Sequence, residues 1–208
     1  MSSFRQLLTE LSPALLVDAC SAEVQVGWLD QGGDGRWASS DREAGIGVFL
    51  CLKELDVDPS AAAAFIFCEG PGSLLGIRTA AMALRAWNVI TPKPMFSYRS
   101  LELTAHAENE PNLTLIADAR RDAWHTVSIG TPLRRVPAAE LPANLAMPDG
   151  FRNWTPLPSA VRRVSYSLRD NLPLVMDADL LRRTELPDAF LHEEPVYVAW
   201  SPRIHRAP

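Results

Sequence analysis

The chain is predicted to be an α/β protein made of two related halves. Three observations carry this. Short apolar runs alternate with amphipathic stretches, a Gly-Pro-Gly corner joins one of each, and a strand–turn–strand pattern occurs twice. Residues 15–29 align with residues 115–129: Leu15 with Leu115, Asp18 with Asp118, and Ala19 with Ala119. Both copies set an aspartate at a strand end before a hairpin turn.

The elements follow in order. The apolar run 14–17 and the alternating Val24, Val26 and Trp28 predict two strands joined at Ala19–Ala22. The glycine-rich turn 31–35 leads to a third strand at 36–39. Asp41 is expected to cap a helix reaching Leu55, which Asp58-Pro59 closes off. Residues 61–68 read as a buried strand. Ser73 is expected to cap a second helix to Val89, with Leu74, Ile77, Ala81, Leu84 and Trp87 near one face. A strand at 94–98, a helix at 100–108 and a strand pair at 113–117 and 124–129 come next. Beyond Gly130, prolines at 132, 137, 142, 148, 156, 158 and 173 interrupt every pattern. Short helical pieces are expected at 168–171 and 179–183, an extended segment at 195–198, and a loose tail at 201–208.

Composition narrows the chemistry. Of 208 residues, 47% are hydrophobic, enough for a sizeable core, and the net charge is -5. That balance opposes a strong grip on a nucleic-acid backbone, so the arginine pairs 120–121, 134–135, 162–163 and 182–183 read as solvated surface. Lysine occurs only at Lys53 and Lys93, neither in a Walker-type context. Cys20, Cys51 and Cys68 form no C-x-x-C pair, which points to a reducing compartment with free thiols and no zinc site. His106, His125, His192 and His205 are too widely spaced for a helical metal pair. No signal peptide or membrane-spanning run is visible, so a cytoplasmic, soluble protein is expected.

Two constellations could carry chemistry. Residues 70–78, Gly-Pro-Gly-Ser-Leu-Leu-Gly-Ile-Arg, place glycines before a helix N-terminus. Free N–H groups and the helix dipole there suit an anion. The third glycine falls one residue late for a dinucleotide fingerprint, and no Lys-Ser/Thr completes a P-loop. A plain strand-to-helix turn capped by Ser73 explains the same residues. Asp18 and Asp118 could each orient a hydrated metal or simply bond the turn amides that follow. Together Asp18, Ser21, Gly70, Gly72, Ser73 and Asp118 are the candidates for a vestigial nucleotide or anion site. The turns at Ala19-Cys20 and Arg120-Arg121 lack the glycines and hydroxyls that phosphate loops use.

The 70–78 run resembles the GPGSFTGLR signature of the TsaB (YeaZ) family. In the same order, Val17-Asp18-Ala19-Cys20-Ser21 resembles its IDTS opening, Ser100-Leu101-Glu102 its SSLE segment, Asp118-Ala119-Arg120-Arg121 its DARR turn, and Pro195-Val196-Tyr197 its terminal motif. The resemblance implies a duplicated actin-like (ribonuclease H-like) two-lobe fold, with lobes at 1–95 and 96–208, the second one reduced. It implies a non-catalytic partner of a TsaD-like subunit in threonylcarbamoyladenosine modification of tRNA. ATP and metal then sit on that subunit and none on this chain. A TsaE-like ATPase joins, tRNA is met only through the complex, and the isolated chain can homodimerise. The pairing surface implied is two helices, 41–55 and 73–89, with Leu74, Leu75, Arg78, Met82 and Arg85 on the second. The sequence departs from the family at Ala19-Cys20, Leu74-Leu75, 40–43 and 198–200. A small actin-type ATPase or kinase using Asp18 and Asp118, or a repurposed homodimeric interaction module, are the rival readings.

Overall fold

The computed structural model describes residues 2–33 and 35–190. The expected extended segment at 195–198, the tail at 201–208, His192 and His205 lie outside the described residues.

Two mixed sheets form the frame. In the first, β1 (Ala14–Asp18), β2 (Val24–Leu29) and β3 (Gly35–Ser40) run antiparallel in succession. Strands β4 (Ala64–Gly70) and β5 (Met95–Arg99) then lie parallel to β1. The second sheet repeats this plan. There β6 (Thr114–Asp118), β7 (Ala123–Val127) and β8 (Arg134–Pro137) are antiparallel, and β9 (Leu145–Pro148) and β10 (Val161–Val164) are parallel to β6 and to β9 respectively. The orders β5-β4-β1-β2-β3 and β10-β9-β6-β7-β8 correspond strand for strand. Strand β11 (Arg182–Thr184) returns to the first sheet, antiparallel to β5.

The repeat seen in the sequence is therefore architectural, and its register shows where it drifts. Strands β1 and β6 sit one hundred residues apart. In the partner strands, however, Asp18 faces Gln25 while Asp118 faces Trp124. The second hairpin turn is one residue shorter. It closes through three successive left-handed residues, Arg120, Arg121 and Asp122, at φ 63, 53 and 52°.

Side-chain alternation splits the first sheet between two cores. Ala14 and Leu16 of β1, with Ala64 and Ile66 of β4, enter the core between the sheets. Leu15, Val17, Phe65 and Phe67 enter the other core, under α2 (Ala44–Leu55) and α3 (Leu74–Ile90). Buried on both faces, these strands read as unbroken apolar runs. The inter-sheet core also holds α1 (Phe4–Glu10) and α4 (Ser100–Glu108), with Phe4, Leu8, Leu101 and Leu103 fully enclosed.

The halves differ in their crossovers. Helices α2 and α3 fill those of the first. In the second, a single 3-10 turn at Ala138–Glu140 and the proline-rich loop 149–160 replace them. Pro142, Pro156 and Pro158 deny both connections a helix interior.

Several expectations are corrected. The first helix starts at Ala44, with Glu43 in the cap position making no side-chain bond, so Asp41 is not its cap. Ser40 Oγ instead accepts from Arg42 N, closing a separate turn. Residues 179–183 are not helical: Leu181 bridges Ser2 and Arg182 joins β11, because the open edge of β5 offers backbone partners to a segment too short to nucleate a helix. Helix α1, absent from the sequence reading, carried a legible signal, the Ser3-x-x-Gln6 capping box. Helix α5 (Leu168–Asn171) matches its expected span. No helix among the described residues is long and apolar enough to cross a membrane.

Leu101→Ala, deep between the sheets, is expected to lower unfolding free energy by about 2–5 kcal/mol. Leu75→Ala, on the outer side of α3, should change it by no more than about 0.5 kcal/mol. Denaturant melts of both variants check the pair.

Candidate functional site

The Gly-Pro-Gly corner is packed shut against the first hairpin turn. A Cβ on Gly72 would lie 2.3 Å from the Cys20 carbonyl oxygen, and one on Gly76 would lie 2.1 Å from that of Ala19. Ser73 N donates to Cys20 O at 2.7 Å. Gly76 N donates to Ser73 Oγ at 3.3 Å, the expected cap. Ser100 Oγ donates to Pro71 O at 2.6 Å and fixes the corner from behind. An N–H group that would meet an anion is thus spent on a backbone carbonyl. The corner joins β4 to α3 and locks α3 onto the β1–β2 turn.

Asp18 lies beneath that contact with no solvent exposure. Its Oδ1 accepts from Cys20 N at 2.8 Å. Its Oδ2 accepts from the hydroxyls of Tyr98, at 2.5 Å, and Tyr166, at 2.8 Å. Tyr98 comes from β5, and Tyr166 follows β10 in the second half. Cys20 Sγ lies 3.2 Å from Tyr166 Oη, and Gly70 N donates to Cys68 Sγ at 3.4 Å. Burial, and then the nearby carboxylate, push both tyrosines well above their ordinary range, so they stay donors. Burial raises Cys20 and Cys68 as well.

Asp118 is the less enclosed counterpart. Its Oδ1 accepts from Arg120 N at 2.6 Å and from Thr155 Oγ1 at 3.2 Å. Its Oδ2 accepts from Thr155 N at 2.7 Å and from Trp154 N. Partial burial works against the charged form, but the N–H groups of Thr155, Trp154 and Arg120 outweigh it and hold the carboxyl below its usual range. Gly150 O, on the same loop, accepts from Ala22 N at 2.8 Å. The 149–155 loop therefore spans from the first hairpin turn to the second. It bridges the space between the two aspartates. Ser21, the remaining member of the set, closes its own turn through Glu23.

The arginine pairs are largely engaged within the chain. Arg162 pairs with Glu108 and Glu110, and Arg182 with Glu102. The Arg120 guanidinium stacks over Trp154, 3.2 Å from the ring centroid.

The outer face of the helix pair presents the other candidate surface. On α2, Ile46, Phe49 and Leu50 are exposed, and on α3 so are Leu74, Leu75 and Met82. Phe49 meets Trp87 edge-on at 6.2 Å, so the two sets are continuous. Leu74, grouped in the sequence with Ile77, Ala81 and Leu84 on one face and also placed on the pairing surface, lies at 46% exposure, while Ile77, Ala80, Ala81 and Leu84 are buried. Leu75 reaches 79% exposure and Met82 58%. Arg78 and Arg85 are not free cations: both approach Asp188, at 3.6 and 3.8 Å. Asp188 sits on a segment that lies along this flank and is anchored by Phe190 N donating to Glu69 O and by Arg99 over the Phe190 ring. Its sequence signal was a single acid after Pro187, too little to place it.

No protein-family model matches the chain, and no curated protein matches it. Solved structures do. YeaZ from Pseudomonas aeruginosa superposes with a TM-score of 0.57 at 18% identity, over 78% of this chain and 89% of that one. An uncharacterised protein described as similar to peptidase YeaZ from Pseudomonas aeruginosa superposes with a TM-score of 0.54 at 19% identity, over 84% and 90%. The likeness establishes a YeaZ-like, two-lobed actin-like α/β fold.

Gly76→Ala gains helix propensity yet drives a methyl into the Ala19 carbonyl. It is expected to destabilise by about 1–3 kcal/mol, read from urea midpoints. Asp118 has a depressed pKa, so its contribution is complete above the unfolded value and lost as pH falls through the folded one. The 154–155 contact should therefore release only below pH 3.8, the ordinary value. NMR of the Trp154 amide checks the midpoint, and a release above that pH contradicts the assignment.

Proposed function

We propose that this YeaZ-like chain is the non-catalytic partner of a TsaD-like subunit in threonylcarbamoyladenosine modification of tRNA. The observation that carries the reading is the continuous apolar face of α2 and α3, where Ile46, Phe49, Leu50, Leu75 and Met82 project outward from helices already packed on their own sheet. Exposed apolar patches of this kind serve association. Two helices laid against two of a partner would bury it as a small bundle. The motif order from the Gly-Pro-Gly corner to the Asp118 turn supports the family assignment, and the YeaZ-like fold agrees with it.

In this reading ATP and metal belong to the TsaD-like subunit, a TsaE-like ATPase completes the assembly, and tRNA is met through the complex in the cytoplasm. Alone, the chain would cover the same face with a second copy. The rival reading, a small actin-type ATPase or kinase, has less support, because Asp18 is enclosed and the 149–155 loop bridges the two turns. Arg78 and Arg85 serve the surface indirectly, through the Asp188 segment.

Reconstitution with the TsaD-like and TsaE-like subunits of the same organism tests this. Modification of tRNA should depend on this chain, and no dependence refutes the proposal. Leu75→Asp combined with Met82→Asp should weaken the heterodimer at least tenfold, equivalent to about 1.4 kcal/mol, while leaving the fold intact by circular dichroism. Unchanged co-purification would remove the interface.

A further inference from the structure

The buried cluster beneath the Gly-Pro-Gly corner contains more than a turn requires. Asp18, Cys20 and Cys68 bring one carboxylate and two thiols together, with the donor atoms all within 4.8 Å of one another. None of the three residues is more than 1% exposed. The hydrogen-bond partners of the carboxylate, the Cys20 amide and two phenols, are all neutral. A buried carboxylate ordinarily has a cation beside it. It also offers roughly four lone-pair sites, and these three bonds, one to Oδ1 and two to Oδ2, leave one on Oδ1.

We infer that Asp18, Cys20 and Cys68 bind a single thiophilic divalent cation of zinc type. Two thiolates and one carboxylate match the soft and borderline donors such an ion takes. Bonds of about 2.3 Å to sulfur and about 2.1 Å to oxygen place tetrahedral donors roughly 3.6 Å apart, inside the observed limit. Binding replaces two S–H bonds by two metal–sulfur bonds and releases both protons to solvent, while the carboxylate ligates without losing one. The complex carries one net negative charge, and the Tyr98 and Tyr166 hydroxyls already donate to its carboxylate ligand.

Linear spacing conceals this site. Cys20 belongs to the β1–β2 turn and Cys68 to the end of β4, and only the parallel pairing of β1 with β4 brings them together. Tyr166 covers the cluster from the second half. The ion would tie the turn to the corner that positions α3.

The test uses the full chain, reduced and stripped of metal, titrated anaerobically with cadmium(II) and cobalt(II). One equivalent should bind with a thiolate-to-metal charge-transfer band and a raised melting temperature. Cys68→Ser should lose the band, and Cys51→Ser, on α2 outside the cluster, should keep it. Should Cys68→Ser fail to fold, X-ray absorption of the cadmium-loaded native chain decides, with two sulfur ligands expected. Bound cadmium should also protect Cys20 and Cys68 from peroxide. Absence of the band in the folded, reduced chain overturns the proposal. So does a band that survives Cys68→Ser, or a sulfur count other than two. A Cys20–Cys68 disulfide that forms equally fast with and without cadmium does the same.

Discussion

One enclosed carboxylate organises this protein. Asp18 accepts from the turn that follows it, from Tyr98 on β5 and from Tyr166 in the second half. Burial strengthens each of these bonds and makes losing any of them costly, because a stranded charge has no water to turn to. The three partners come from sequence positions far apart, so a single residue fixes the hairpin turn, the middle of the first sheet and the seam between the sheets.

The exposed apolar face of α2 and α3 follows from that anchoring. With the turn held, the Ala19 and Cys20 carbonyls form a wall against which only glycine fits, at 72 and 76. Helix α3 starts from this contact and lies beside α2 over the core of Leu15, Val17, Phe65 and Phe67. Its inner side is satisfied by the sheet, and its outer side is left apolar. The Asp188 segment holds Arg78 and Arg85 at the edge of this surface, and Leu75 and Met82 of α3 are exposed on it with Phe49 and Leu50 of α2.

The first half was legible because each of its elements has a period or a punctuation mark. Runs buried on both faces announced β1 and β4, Ser73 announced α3, and the aspartate before each turn announced the duplication. The second half was much less so. Its strands β8, β9 and β10 are four residues each, shorter than a pattern needs, and prolines sit where crossover helices would have marked the topology. Residues 179–183 show the same limit: a segment that short takes its conformation from the sheet edge it meets.

The sequence by itself determined the two-half α/β plan, the strand-to-helix corner and the pairing of Asp18 with Asp118, because these are local patterns of burial, turn chemistry and repetition. Only the tertiary structure decided what the two aspartates do. Asp18 is sealed under two tyrosines, Asp118 anchors a loop, and the 149–155 segment bridges the space between them. Those outcomes depend on which distant groups arrive within hydrogen-bond reach, and no spacing along the chain encodes that distance.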